Sequence, residues 1–460
     1  MPPPNRLPQK PNTFFQGQWR LPFMGWASRS NPALVDAIVA SLSSPAEQTY
    51  HCLSRFTARD WVHTEFWLDT SGLALYFLDH VQVHGLSGAV DPHLLARLQQ
   101  KRVDNKTRVA AMLEEFVSIN RSFRNAGIRF ANLKGFTFFP DSCSDLSLRH
   151  QSDFDFLIAP EDLALGCTLL EKHGFILTAS NPSSVEFRTS GPVRTTLDGQ
   201  YKAENRLSAE LHIGTSGHHP DQHLKHDRRL DRLYTWQWGG ECFPALAPAD
   251  QMIGQALHLL GHLRHEHTRP SWLLEYRRHV LARHDDRDFW ISLRALARES
   301  TQAPIAFGLS TLLASLLFGS FSPPELDAWT LESLPHRVRL WALHYGRKVV
   351  LADVPGTKLY LLLEGALRDL NPAEVKPVRL NRLIPLRRTD RIMLAGGHET
   401  LRSSLRRNAI EMRFILFRLR FHLQQGIRFL REARRWRRLC ATGHDAGRSS
   451  VGCRCTRNPE

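Results

Sequence analysis

The chain lacks most features that would place it outside a reducing compartment. Its seven cysteines, at positions 52, 143, 167, 242, 440, 453 and 455, include no Cys-x-x-Cys pair and are odd in number. They read as reduced cytosolic thiols, not as a disulfide framework. No basic segment followed by an apolar core opens the sequence, and Met1-Pro2-Pro3-Pro4 is a poor start for a signal peptide. A cytoplasmic location is therefore expected. Long hydrophobic runs are also scarce. The longest uncharged stretch, Ser300 to Pro324, contains the apolar segment Ile305 to Phe318 but is interrupted by Pro304, Gly308, Ser310, Thr311 and Ser315. Such a segment suits a buried helix better than a membrane span. No internal repeat is present.

What the chain does have is length and positive charge. At 460 residues with 42% hydrophobic residues it can fill the cores of two or three domains. The formal charge of +15 resembles a nucleic-acid signature until it is located: twelve arginines against Glu411 and Glu432 fall between Leu401 and Cys440. Two thirds of the excess thus sits in one segment, and the remainder of the chain is only mildly basic.

Chemistry is concentrated between Ile128 and Ile213. The run Ser152-Asp153-Phe154-Asp155-Phe156-Leu157-Ile158 has strand character, so Asp153 and Asp155 share one face while Phe154, Phe156 and Ile158 enter the opposite layer. Two acids side by side are tolerated when a positive charge sits between them, and a hard divalent cation is the usual solution. A second run, Leu207 to Ile213, puts Glu210 and His212 on one face in the same way and supplies a third carboxylate. Upstream, a short strand from Ile128 to Leu133 runs into Lys134-Gly135, where glycine permits close backbone approach and lysine offers a charge suited to phosphate, unless it is simply a solvated turn residue. Arg149, four residues before Asp153, either pairs with phosphate or braces the acids.

The ordered set Leu133-Lys134-Gly135, Arg149, Asp153-Phe154-Asp155, Pro160-Glu161-Asp162, Lys172-His173-Gly174-Phe175 and Glu210-Leu211-His212 resembles the nucleotidyltransferase superfamily of polymerase-β-like folds. More narrowly, it resembles the bacterial nucleotidyltransferase family of largely uncharacterised proteins, over most of residues 50 to 280. The phosphate-side signature departs from the wider superfamily in reading Lys-Gly where Gly-Ser is usual, with a longer gap before the acids. The resemblance implies an α+β fold: a small mixed sheet with flanking helices, embedded between N- and C-terminal helical regions. It further implies a transferase that moves a nucleoside monophosphate from an NTP such as ATP to an acceptor, releasing pyrophosphate. Mg2+ or Mn2+ would be held by Asp153, Asp155 and Glu210, with Lys134, Gly135 and Arg149 on the nucleotide phosphates and His212 as a further site residue. A small metabolite, a sugar or phosphosugar, a peptide and a protein side chain all fit as acceptor. The rival reading is a catalytically inactive protein of the same fold that acts as a binding or scaffold module.

The expected organisation is a loosely ordered arm over 1–30, a helical region over 31–127, the catalytic core over 128–247, a second helical region over 248–390, an arginine-rich amphipathic helix over 391–440 and a disordered tail over 441–460. Asp104 would cap the helix carrying Val109, Met112, Phe116, Ile119 and Phe123, which Gly127 stops. Two short runs, Ser184 to Arg188 and Val193 to Leu197, suggest a hairpin leading to the Glu210 strand. The histidines at 212, 218, 219, 223 and 226 fit no structural-zinc spacing, and His258, His262 and His265 recur on one helix face, as ligands or as core residues. In the arginine-rich helix, Ile410, Phe414, Phe417, Phe421 and Gln424 trace one face, widened by Leu416, Leu423, Ile427, Leu430 and Trp436. That stripe would dock on the protein's own core; a membrane surface or RNA is the alternative partner.

Overall fold

The computed structural model describes residues 30–43, 46–181, 183–190, 198–213, 227–368, 370 and 401–449. Seven strands, β1 (Phe130–Leu133), β2 (Asp153–Ile158), β3 (Phe175–Asn181), β4 (Ser184–Thr189), β5 (Ser208–Ile213), β6 (Leu233–Trp238) and β7 (Glu241–Leu246), form one sheet in the order β3-β4-β5-β2-β1-β7-β6. The sheet is mixed: β2 runs parallel to β5 and β1 parallel to β7, and the other neighbours are antiparallel. With its flanking helices this is the expected α+β architecture.

One face of the sheet is apolar because the strands alternate. Phe154, Phe156, Ala209, Leu211, Phe187, Phe130 and Phe243 all point into a core closed by helices α5 (Pro92–Asn125) and α6 (Leu163–Lys172). A second core is built mainly by helices. It gathers α1 (Pro32–Ser41), α2 (Ala46–Ser54), α3 (Ala58–Ser71) and α4 (Ala74–Val83) from one side of the sequence. From the other come α7 (Pro248–Leu263), α8 (Pro270–Ala282), α9 (Arg287–Ala297), α10 (Ala303–Phe318), α11 (Pro324–Thr330), α12 (His336–Trp341), α13 (Arg347–Val350) and α14 (Tyr360–Arg368). The uncharged segment after Ser300 becomes the buried α10, and among the described residues no helix is long and apolar enough to cross a membrane.

Helix α5 joins the two cores and corrects a boundary. It does not begin at Asp104: Asp91 caps it, accepting from the Leu94 amide at 3.0 Å, with Pro92 in the first turn. The intervening residues Leu94 to Arg102 are good helix formers, and Asp104 is an interior residue accepting from Gln100 Nε2. Its N-terminal Leu94 and Leu98 enter the helical core, whereas Val109, Met112, Phe116, Ile119 and Phe123 enter the sheet core. Between these segments lie three buried polar side chains, Lys101, Asn105 and Arg108.

The hairpin beside the Glu210 strand also differs from expectation. Its arms are β3 and β4, paired from Phe175↔Thr189 to Asn181↔Ser184, and β4 then pairs with β5. Asn181 side-chain acceptors close the turn on the Ser183 and Ser184 amides. The run from Val193 to Leu197 lies outside the described residues, as do the histidines at 218, 219, 223 and 226.

The long C-terminal helix, Leu401–Ser449, docks on the helical core. The docked face differs from the one periodicity traced: Phe421 and His422 are buried, and Phe429, Ala433 and Trp436 pack on the core, whereas Phe417 and Gln424 are exposed. The side chains of Ile410 and Phe414 lie outside the described set. Polar contacts fix the seat: Arg418 Nη2 donates to Glu266 at 2.9 Å, Thr357 Oγ1 to Gln425 at 3.1 Å and Tyr345 OH to Glu432 at 3.0 Å. This helix carries two apolar stripes, and spacing alone does not say which one meets a partner. Replacing a seated aromatic leaves a cavity, so Phe421→Ala should cost about 3 kcal/mol. Leu423→Ala, on the exposed stripe, should stay within about 0.5 kcal/mol. Denaturant titration of the two variants checks the seating; equal costs would contradict it.

Candidate active site

The sheet face opposite the aromatic core carries the acids. In β2 the phenylalanines are sequestered, which turns Asp153 and Asp155 outward, and β5 alternates in the same way. Because β2 and β5 run parallel in register, Asp155 stands beside Glu210 and Leu157 beside His212. His212 Nε2 lies 3.0 Å from Asp155 Oδ1 and 3.6 Å from Glu210 Oε2. Ligand atoms of Asp155, Glu210 and His212 all fall within 4.8 Å of one another, a spacing that suits one metal ion. Asp153 lies one strand-step away and is not part of that tight group. Two carboxylates and an imidazole form a donor set appropriate to a hard or borderline divalent cation. The other acidic cluster among the described residues differs, because Lys101 Nζ sits 2.9 Å from Glu65, 2.7 Å from Asp69 and 3.3 Å from Asp198. An ammonium already fills that space.

Lys134 faces the acids from the end of β1, where Leu133 pairs with Asp155. Its Nζ is 3.7 Å from Asp155 Oδ2. The backbone that puts it there is strained: Lys134 has φ 51° and ψ −156°, the sole positive φ of a non-glycine among the described residues. A lysine held in this region costs on the order of 1–3 kcal/mol. Gly135 follows at φ 56°, and a Cβ there would come 2.4 Å from Gln151 Nε2. The turn is closed by the Thr137 amide and hydroxyl, which donate to the Lys134 carbonyl at 3.0 and 2.8 Å.

Arg149 is part of the same wall. Its Nε is 3.3 Å from Glu275, its Nη1 donates to Gln151 Oε1 at 3.0 Å, and its guanidinium lies over the Phe138 ring. Gln151 in turn donates to the Asp153 carbonyl at 3.0 Å. Burial works against the Arg149 charge, but Glu275, Tyr76, Asp153 and Cys143 together outweigh it and hold the guanidinium ionised. The facing wall comes from α7 and α8: Gln255, His258, Leu259, Trp272 and Glu275 close a small cavity with Lys134, Phe138 and Arg149. His258, His262 and Trp272 cluster, with ring centroids 4.3 Å apart for the two histidines and 4.0 Å for His262 and Trp272. Burial pushes both imidazoles well below their usual range, so they stay neutral at pH 7.

The two aspartates are driven apart electrostatically. Burial and the neighbouring Asp155 raise the Asp153 carboxyl. Burial would raise Asp155 too, but Lys134 and the hydrogen bond from His212 outweigh it and bring its pKa down to about 2. The candidate site residues lie on or beside one face: Asp155, Glu210 and His212 form the tight group, Lys134 meets Asp155, Asp153 is adjacent, Gly135 lies in the turn and Arg149 at the rim. Sequence reasoning gave no role to Gln151, Trp272 or Glu275. Glu275 holds Arg149 and accepts from Tyr76 OH at 3.0 Å, contacts that no local spacing announces.

Two outcomes follow. Lys134→Gly removes both the strain and the charge, whereas Lys134→Ala removes the charge and keeps the strain, so both should weaken nucleotide binding and the alanine variant should melt below the glycine variant. Calorimetry and nucleotide titration separate the two. Asp155 has a lowered folded pKa, so its ionised form stabilises the fold above the unfolded value of 3.8 and that contribution is lost as pH falls towards about 2. Acid-unfolding curves of Asp155→Asn should lack this loss.

No curated protein matches the chain. The profile of a protein family described as "Uncharacterised nucleotidyltransferase" matches residues 57–319, which take in α3 to α10, the whole sheet and every residue of the site above. With the Lys-Gly turn, the paired aspartates and the Glu210 strand set on one face of that matched region, the chain belongs to the uncharacterised nucleotidyltransferase family.

Proposed function

We propose that the protein is a metal-dependent nucleotidyltransferase that moves an NMP from an NTP to a hydroxyl or phosphate acceptor and releases pyrophosphate. The observation that carries this reading is the Asp155, Glu210 and His212 donor set facing Lys134 across 3.7 Å. It would combine a cation site and a phosphate-directed charge on one face.

Asp155 and Glu210, with Asp153 beside them, would hold Mg2+ or Mn2+. A divalent ion bound there neutralises charge on the leaving pyrophosphate and lowers the pKa of an acceptor hydroxyl. The remaining work falls to the chain's own groups. Lys134 orients the triphosphate, and its strained backbone fixes the ammonium before substrate arrives. Arg149, clamped by Glu275 and Gln151, presents a second fixed positive charge. Glu210 lies where it can accept the acceptor's proton or share the cation. Neutral His258 and His262 shape the wall without adding charge that would compete for phosphate. Trp272 and His258 close the wall behind Lys134 and Arg149.

The test incubates the full-length protein with each of the four NTPs, Mg2+ or Mn2+ and a cell extract as acceptor source, and reads pyrophosphate release. Asp155→Asn should lower release at least about a hundredfold, the scale expected for removing a charged group at the reacting centre. Its melting curve should remain cooperative, though shifted down, because asparagine keeps the size of the side chain and an oxygen that can still meet His212 Nε2. Undiminished release by folded Asp155→Asn would refute the assignment, and divalent-dependent NTP binding without release would favour a binding or scaffold protein.

A further inference from the structure

The docked C-terminal helix leaves a second apolar stripe uncovered. Met412, Leu416, Leu419, Leu423, Ile427 and Leu430 recur every three or four residues and are each 47–57% exposed. At 1.5 Å rise per residue they run along roughly 27 Å of one helix face. Single exposed apolar residues are ordinary, but a continuous aliphatic file with a charged rim marks an interaction surface. The rim is basic: 100° per residue places Arg413, Arg420, Arg431 and Arg438 along one edge of the file, and Arg434 and Arg437 continue its line beyond Leu430. On the other flank, near the helix's C-terminal end, a groove is lined by Arg337, Arg368 and Arg437 beside Trp436. Glu432, the one acid among the helix's described side chains from 409 to 441, points the other way and accepts from Tyr345.

We propose that this face is a docking surface for an anionic lipid bilayer, with the helix lying in the plane of the interface. The file would sink into the boundary between headgroups and acyl chains, and the arginine edge would meet lipid phosphates. Charge complementarity selects this occupant. A second copy of the chain would bring one arginine edge against another, and the file itself ends in Arg434 and Arg437 where a helix pair would need apolar residues. RNA would engage the arginines but give six aliphatic side chains nothing to stack on. The seat of the helix leaves the face accessible, because Phe421, His422, Phe429 and Trp436 attach it to the core from behind. Glu266, which anchors Arg418, belongs to the α7–α8 loop.

The experiment sediments the full-length protein with phosphatidylcholine vesicles and with vesicles containing about one third phosphatidylglycerol. Wild-type protein should pellet with the second kind and be released as salt rises from about 0.05 M to about 0.5 M. Leu423→Glu/Ile427→Glu and, separately, Arg413→Gln/Arg431→Gln/Arg434→Gln should each weaken pelleting at least about tenfold while leaving the melting temperature unchanged. If the glutamate pair unfolds the protein, Leu416→Ser/Leu423→Ser takes its place. The proposal fails if wild type does not pellet with anionic vesicles at low salt, or if pelleting is indifferent to the aliphatic substitutions. It also fails if the protein forms a dimer that salt strengthens and Leu423→Glu/Ile427→Glu dissolves, or if RNA retention proves the sole salt-sensitive binding.

Discussion

The site is governed by the repulsion among Asp153, Asp155 and Glu210, which the sheet forces onto one face of two parallel strands. Left alone, such a group would favour its own protonation; at Asp153 burial first and then the neighbouring Asp155 raise the carboxyl. Asp155 escapes because Lys134 and His212 stand against it. At 3.7 Å the Lys134 attraction amounts to a few kcal/mol at an effective dielectric near 20, about 4 kcal/mol before desolvation, which exceeds the cost of the unfavourable backbone at that lysine. The strain and the charge cluster therefore sustain each other. A loop made to relax at residue 134 would leave the acids facing one another.

The same economy of charge runs through the framework behind the site. Arg108 is fully buried and donates to the carbonyls of Gln151, Lys202 and Asn205, which ties the segment before β2 to the segment before β5. Asn105 holds the carbonyls of Ser147 and Arg149 in the same manner. Further along α5, Asn120 exchanges hydrogen bonds with Asn132 of β1, and Asn132 reaches the Pro244 carbonyl. These polar contacts set the height and register of the two strands that carry the acids. Buried amides and guanidinium groups of this kind persist because removing one partner strands the other.

The sequence made the acid face legible because a strand has a period of two and the phenylalanines at 154 and 156 leave the aspartates no other side to occupy. The Lys134-Gly135 turn was legible as a close approach of backbone, although neither its positive φ at lysine nor the role of Gln151 beneath Gly135 could be read from spacing. Glu275 was out of reach for a different reason: its partner Arg149 is 126 residues away, and only the packing of α8 against the sheet rim joins them. The start of α5 was misplaced because Asp104 and Asp91 both satisfy a capping pattern, and the decision between them rests on tertiary burial of Leu94 and Leu98. The C-terminal helix shows the limit of amphipathic analysis. Its apolar residues occupy two faces, and the choice of the Phe421 face depends on Glu266, Thr357 and Tyr345, all distant in sequence.

Helix α5 has a consequence for how the molecule can be divided. Its 34 residues form a rod roughly 50 Å long that belongs to both cores at once, with Lys101 and its carboxylate partners packed at the junction. Excising the sheet as a minimal fragment would remove Phe116, which packs against Phe136, Phe156 and Phe243, and would bring an aromatic layer into water. The smallest unit that keeps this layer covered is thus larger than the span holding the acids and includes α5. Insertions, fusions or proteolytic nicks are best tolerated where no shared rod crosses the cut, and that condition rules out the middle of α5.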